Sequence, residues 1–223
     1  MARSVVLNNS PRCPRCQLPP RWCVCAAQRD IACPLGVSVL QHFMESYRPS
    51  STGHLIKRVL PAATLHLYRK ERPLERTELA PDDREIWILH PTGEPMPANA
   101  DVSRVQALLI DGNWVQATEM ARTAAPWGRR VSLPMTGESR YWLRAQSGAG
   151  RFSTMEALQF LVAALGLGEA HAQLRLQFEL HVFASLSARG QKQQAQKYLA
   201  DSPVRDAFPE LVAKLTHSRR DSE

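Results

Sequence analysis

Asp111-Gly112-Asn113-Trp114 sets a carboxylate, a glycine and an amide side chain where an apolar run gives way to a helical pattern. Residues 107–110 read as a strand buried on both faces, as in a parallel sheet. Trp114, Ala117, Met120 and Ala121 then recur at helical spacing, with Asn113 as the N-cap. A strand that stops at Asp-Gly delivers its polar residues to the carboxyl edge of the sheet, where open α/β sheets bind ligands. A plain βα turn in which Asp111 only caps accounts for this stretch equally well.

A second constellation is made of sulfur. All 5 cysteines lie between positions 13 and 33. Cys13-Pro14-Arg15-Cys16 and Cys23-Val24-Cys25 offer two thiolate pairs that can close a tetrahedral site, and soft sulfur ligands select zinc. Zinc would fold a segment too poor in apolar residues to fold alone. Such crowding in a reducing compartment favours a metal site over disulfides. Cys33 is left over as a small hydrophobe. Arg12, Arg15, Arg21 and Arg29 surround this knuckle with Trp22 among them, and residues 1–29 hold no acidic side chain. Basic residues with an interleaved aromatic hold RNA through phosphate contacts and stacking. A solubilising charged surface is the plain alternative.

The elements that must position these groups alternate. Residues 37–43 read as a strand ending in the polar turn Glu45-Ser46-Tyr47-Arg48-Pro49-Ser50-Ser51-Thr52-Gly53. Residues 54–60 carry Leu55, Ile56, Val59 and Leu60 on one helical face, and Pro61 stops the helix. Residues 64–68 form another strand, and the densely charged 69–85 a surface excursion. Residues 86–89 form a third strand, delivered into the turn His90-Pro91-Thr92-Gly93-Glu94-Pro95. After the strand at 107–110, residues 130–133 form a fifth. Strand–helix alternation of this kind predicts a mostly parallel sheet in one α/β domain.

Residues 134–151 make a long connection that contains Ser139-Arg140-Tyr141-Trp142-Leu143-Arg144, and long connections in compact domains are functional or disordered. Its arginines and aromatics argue against disorder. Ser153-Thr154-Met155-Glu156 then opens a helix with a capping-box signature, continued by residues 157–167. Ser153 and Glu156 either cap and nothing more, or leave a helix N-terminus that holds a carboxylate. An amphipathic helix is predicted over 170–186, with further helices over 191–200 and 203–215 and a frayed polar tail.

The composition bounds the rest. Of 223 residues 44% are hydrophobic and 22% charged, as in a globular protein, and the formal net charge is +7 with a pI near 9.5. That balance permits an anionic partner without demanding one. No apolar run approaches the ~18 residues of a membrane span, and Val5-Val6-Leu7 is too short for a signal peptide. A soluble cytoplasmic protein, expected to be a monomer, follows.

In order and spacing, four blocks resemble the DTW-domain family, the bacterial tRNA-uridine aminocarboxypropyltransferases. They are the Cys13/Cys16/Cys23/Cys25 knuckle, Arg48-Pro49-Ser50-Ser51-Thr52-Gly53, Asp111-Gly112-Asn113-Trp114, and Arg140-Tyr141-Trp142-Leu143-Arg144 leading to Ser153-Thr154-Met155-Glu156-Ala157. The resemblance covers the chain from Cys13 to about Leu165. Asn113 stands where the family usually has Thr and keeps a hydrogen-bonding, capping side chain.

The resemblance implies S-adenosylmethionine as donor, tRNA as partner and structural zinc on the four cysteines. It also implies a SPOUT-like α/β fold with a C-terminal trefoil knot, which sequence rules alone would not propose. The domains expected are a basic zinc knuckle over 1–33 and a donor-binding α/β domain with C-terminal helices over 34–223. The implied reaction moves the 3-amino-3-carboxypropyl group onto N3 of a uridine and releases methylthioadenosine. Asp111 is then the base that accepts the imide proton. Arg140 or Arg144 would hold the donor carboxylate and Glu156 its ammonium. The adenosine would lie along Leu133, Leu143 and the turn after Leu89, with Tyr141, Ser153 and Thr154 completing the cofactor site. Arg12, Arg15, Arg21, Trp22 and Arg48 are the RNA-binding candidates, and Trp114 is expected to pack in the core behind the site. Two rival readings are a SPOUT-type RNA methyltransferase and a non-catalytic zinc-knuckle RNA-binding protein in which Asp111 only caps a turn.

Overall fold

A computed structural model describes residues 11–72, 74–144 and 150–216. The first ten residues of the expected knuckle, part of the long 134–151 connection and the polar tail lie outside them. Contacts group the chain into two units: Asp30–Ser139 with Ser147–Leu174, and Met1–Arg29 with Arg140–Gln146 and Arg175–Glu223. The N-terminal module and the C-terminal helices, at opposite ends of the sequence, thus share one unit.

The first unit is built on a five-stranded sheet. In chain order it runs β1 (Gly36–His42), α1 (Thr52–Val59), β2 (Thr64–Tyr68), α2 (Arg76–Leu79), β3 (Glu85–Pro95), β4 (Val105–Asp111), α3 (Trp114–Ala124), β5 (Arg129–Ser132) and α4 (Thr154–Ala164). The strand order is β2-β1-β4-β3-β5, and each adjacent pair is parallel. The connection leaving β1 goes to β2 on one side, and that leaving β4 goes to β5 on the other. The β1/β4 junction is therefore the topological switch point, and Gln41 stands opposite Asp111 there. Leu40, Ile86, Ile88, Leu108, Met120 and Ala124 pack one core, and each large side chain so buried contributes about 1.5–3 kcal/mol.

Four expectations change in detail. β3 does not stop at Leu89 but continues to Pro95. Leu89 and Glu94 both pair with Val131, so the polar residues between them form a bulge, where Thr92's amide and hydroxyl both meet His90 Nδ1. The charged 69–85 excursion is pinned to the core by Leu79 and Ala80 at the end of α2. The helix expected over 203–215 is two, α7 (Val204–Ala207) and α8 (Pro209–Thr216), because Pro209 has no N–H to continue the first. Finally, α4 ends at Ala164, three residues earlier than the pattern suggested, and Gly166 just past it takes φ +73°, a left-handed conformation that glycine adopts freely.

α5 (Gly168–Ala188) passes into the second unit, followed by α6 (Lys192–Ala200) and the two short helices. It is not amphipathic there: residues 177–187 are all buried, as in a helix with no solvent face. Glu179 and the Gln177 amide nitrogen find their partners within the unit. Glu179, 1% exposed, accepts from Arg175 Nε at 2.9 Å and Arg140 Nη2 at 3.1 Å. Arg140 also donates to the Tyr198 carbonyl at 2.8 Å and lies 4.1 Å above the Tyr198 ring. Gln177 donates to the Ala27 carbonyl at 3.1 Å and fastens the N-terminal module to α5. Among the described residues no helix is long and apolar enough to cross a membrane.

Removing the Glu179 anion strands Arg140 beside buried aromatics. Glu179→Ala should therefore lower stability by roughly 2–4 kcal/mol, and Arg175→Ala, which removes a half-exposed cation and leaves Glu179 paired with Arg140, by far less. Urea denaturation of both variants checks the difference.

Candidate functional site

Asp111 ends β4 with only 5% of its surface exposed. A buried carboxylate needs hydrogen-bond donors, and three other elements supply them. Gln41 at the end of β1 gives Nε2 to Oδ2 at 2.9 Å, and Ser51 gives its hydroxyl to the same oxygen at 3.0 Å. Thr154, the first residue of α4, gives its hydroxyl to Oδ1 at 2.7 Å. Ser51 also accepts from Gln41 Nε2 at 2.7 Å and from the His54 amide at 3.4 Å, where it caps α1. The N-termini of α1 and α4 are thereby drawn to one carboxylate, with α3 starting three residues beyond it. Their positive dipole ends favour negative charge at this edge. Gly53 completes the cradle, since a Cβ there would sit 2.7 Å from Asp111 Oδ2.

Both caps read from the pattern are present. Asn113 Oδ1 accepts from the Gln116 amide at 3.0 Å, and Gln116 Oε1 accepts from the Asn113 amide at 2.9 Å. Ser153 and Glu156 cap α4 in the same reciprocal way, and Ser139 adds its hydroxyl to both Glu156 oxygens at 2.9 Å. Glu156 is buried and is used as a cap. Leu89 and Leu133 lie at the neighbouring edges of β3 and β5, both half-buried.

Trp114 is not core packing. It is 53% exposed, because the first residue of α3 lies past the end of the strand, and Arg151 covers its ring instead. Arg48 is held by Glu45 at 2.8 Å. The remaining candidates belong to the other unit: Arg140 on Glu179, Tyr141 stacked on Phe178 at 6.1 Å, Arg144 over the Tyr141 ring at 5.7 Å, and Leu143, whose carbonyl accepts from Arg189. Gln41 went unnoticed in the sequence, although a glutamine in a mostly apolar strand is a signal. Its Oε1 is buried without a partner among the described residues.

The cysteines form the second site. The sulfurs of Cys13, Cys16, Cys23 and Cys25 lie within 4.8 Å of one another, with Cys13–Cys25 at 3.5 Å and Cys16–Cys23 at 3.7 Å. A tetrahedral zinc with ~2.3 Å bonds sets sulfurs about 3.8 Å apart, so the donor set fits. Gln17, at φ +61°, turns the chain back just after the first pair, and its amide bonds the Cys13 carbonyl at 2.9 Å. The amide of Cys16 foremost holds the Cys13 thiol at about 6, whereas burial pushes Cys16 and Cys25 up. One thiolate is ready, and Cys16 and Cys25 ionise once a cation compensates their burial.

A family model described as the DTW domain matches residues 10–187, which include the four cysteines, Asp111 and Thr154. The chain belongs to the DTW-domain family. It is similar to tRNA-uridine aminocarboxypropyltransferase 2 of Drosophila melanogaster, 26% identical over 180 residues, 75% of this chain and 70% of that protein. No solved structure matches it. The DTW match takes in both constellations, and it spans elements of both units, from the knuckle into α5.

Metal analysis of the purified protein should find about one zinc per chain. Cys13→Ser and Cys23→Ser should each bring that content close to zero. A wild-type protein free of metal after preparation without chelators would overturn the assignment.

Proposed function

We propose that this DTW protein transfers the 3-amino-3-carboxypropyl group of S-adenosylmethionine to N3 of a uridine in tRNA, releasing methylthioadenosine, on a SPOUT-like fold. The single observation that carries this reading is Asp111, a buried, three-donor carboxylate at the switch point of a parallel sheet in a chain similar to a tRNA-uridine aminocarboxypropyltransferase. The positive sulfonium of the donor activates the adjoining side-chain carbon and leaves as a neutral thioether. What remains for the protein is orientation and one proton.

Asp111 handles the proton. Its Oδ2 is occupied by Gln41 and Ser51, whereas Oδ1 takes one hydrogen bond from Thr154 and keeps a second acceptor position. The imide N–H of uridine loses its proton to Oδ1 as N3 bonds to the side-chain carbon and the carbon–sulfur bond breaks. Thr154 aims that oxygen. The unpartnered Gln41 Oε1 suits an N–H of the donor, and its ammonium is the group that brings one. Leu89 and Leu133 are the candidates for the donor's adenosine. The zinc on Cys13, Cys16, Cys23 and Cys25 is structural. Arg12, Arg15, Arg21, Trp22 and Arg48 meet the anionic backbone of tRNA.

Asp111→Asn, which keeps the shape of the cluster, should slow transfer by about 10²–10⁴-fold while calorimetry shows donor binding nearly intact. A near wild-type rate in that variant or in Asp111→Ala would remove the base assignment. By-product analysis tests the reaction itself, since methylation would yield S-adenosylhomocysteine in place of methylthioadenosine.

A further inference from the structure

Trp114 and Arg151 take no part in the Asp111 cluster, yet they stand beside it. Trp114 lies three residues after Asp111 and Arg151 three residues before Thr154, whose hydroxyl bonds Asp111 at 2.7 Å. The Arg151 guanidinium lies over the Trp114 indole, 5.2 Å from its centroid. The stacked pair and the hydrogen bond thus join the same two segments. Both segments are braced: Asn113 and Gln116 cap the helix that carries Trp114, and Phe152 meets Phe160 edge-on at 5.0 Å.

An indole left half in water forgoes the burial that a tryptophan ordinarily gains. Val115 beside it is 80% exposed, and Tyr47, on the loop after the neighbouring strand β1, is 72% exposed. Exposed aromatics therefore follow both strands of the switch point. A flat ring backed by a guanidinium offers a π surface with positive charge, complementary to a nucleobase and the phosphate next to it. The chemistry asks for such a surface. N3 lies on the Watson–Crick edge of uridine, so the target must be unpaired and splayed out of its stack before it can react.

We infer that the Trp114–Arg151 pair is a stacking platform for an unpaired nucleobase of the RNA substrate. The inference rests on RNA being the substrate, as proposed above, and names where its base is held. The platform supplies aromatic contact, which is tolerant of base identity, while Arg151 adds a charge contact that salt weakens.

The test measures binding of an unmodified tRNA transcript by filter retention over a range of salt, and donor binding by calorimetry, on the same preparations. Trp114→Ala should weaken tRNA binding about 5- to 100-fold, and Trp114→Phe should recover most of it. Arg151→Ala should weaken binding and make its salt dependence shallower, by about one phosphate contact. Donor binding should stay within about twofold in all three, the control that each variant is folded. Trp114→Ala binding tRNA within about twofold of wild type overturns the platform. Loss of donor affinity by the same factor as tRNA affinity in both Trp114 variants also overturns it, assigning the ring to the donor. A wild-type protein that binds tRNA but transfers nothing defeats the proposed reaction alone, and the Trp114 comparison still decides the platform.

Discussion

One buried carboxylate imposes order on the whole carboxyl edge of this sheet. Almost shut off from water, the Asp111 carboxylate would cost several kcal/mol without donors, and each of its three comes from a different element. The end of β1, the cap of α1 and the first turn of α4 must all arrive within hydrogen-bond reach of the end of β4. Ser51 makes the coupling tight, because its one hydroxyl donates to Asp111 while accepting from Gln41 and from the first turn of α1. A shift of β1, β4 or the α1 cap breaks more than one bond. The cluster is therefore preorganised, with donors in place before any ligand arrives, and preorganised polar groups are what a transfer reaction rewards.

That same saturation divides the labour between the two oxygens. With Oδ2 doubly engaged, the open acceptor position of the carboxylate is on Oδ1, beside the one that Thr154 fills. The loop preceding Thr154 carries Arg151, and the turn following Asp111 carries Trp114. The proposed proton acceptor and aromatic platform thus stand on two short chain segments, each leading into a capped helix. Orientation of this sort is worth more to a bimolecular transfer than any single contact.

Much of this could be read before any coordinates, and the reasons are local. Apolar runs bounded by polar turns found all five strands, and the Ser-x-x-Glu spacing and an asparagine ahead of a helical pattern found the caps of α4 and α3, because caps act within four residues. What escaped was set by tertiary context. Periodicity put Trp114 on the buried face of α3, and could not tell that the sheet ends beneath it. Nor could it tell that β3 would bulge at residues 90–93 and resume pairing, or that the second half of α5 would be buried on every face with its glutamate tied to Arg140 and Arg175. Gln41 reaches Asp111 across seventy positions of sequence, a distance no motif spans.

The geometry also explains why Asn113 can stand where the family resemblance leads one to expect threonine. Asn113 is exposed, its side chain bonds the Gln116 amide, and Asp111 draws its donors from Gln41, Ser51 and Thr154. The position therefore does the work of an N-cap and not of a fourth donor to the carboxylate. Asparagine and threonine both cap through a side-chain oxygen, asparagine somewhat better. A hydroxyl at 113 would serve the start of α3, which holds Trp114 in place, and would leave the hydrogen bonds of Asp111 as they are.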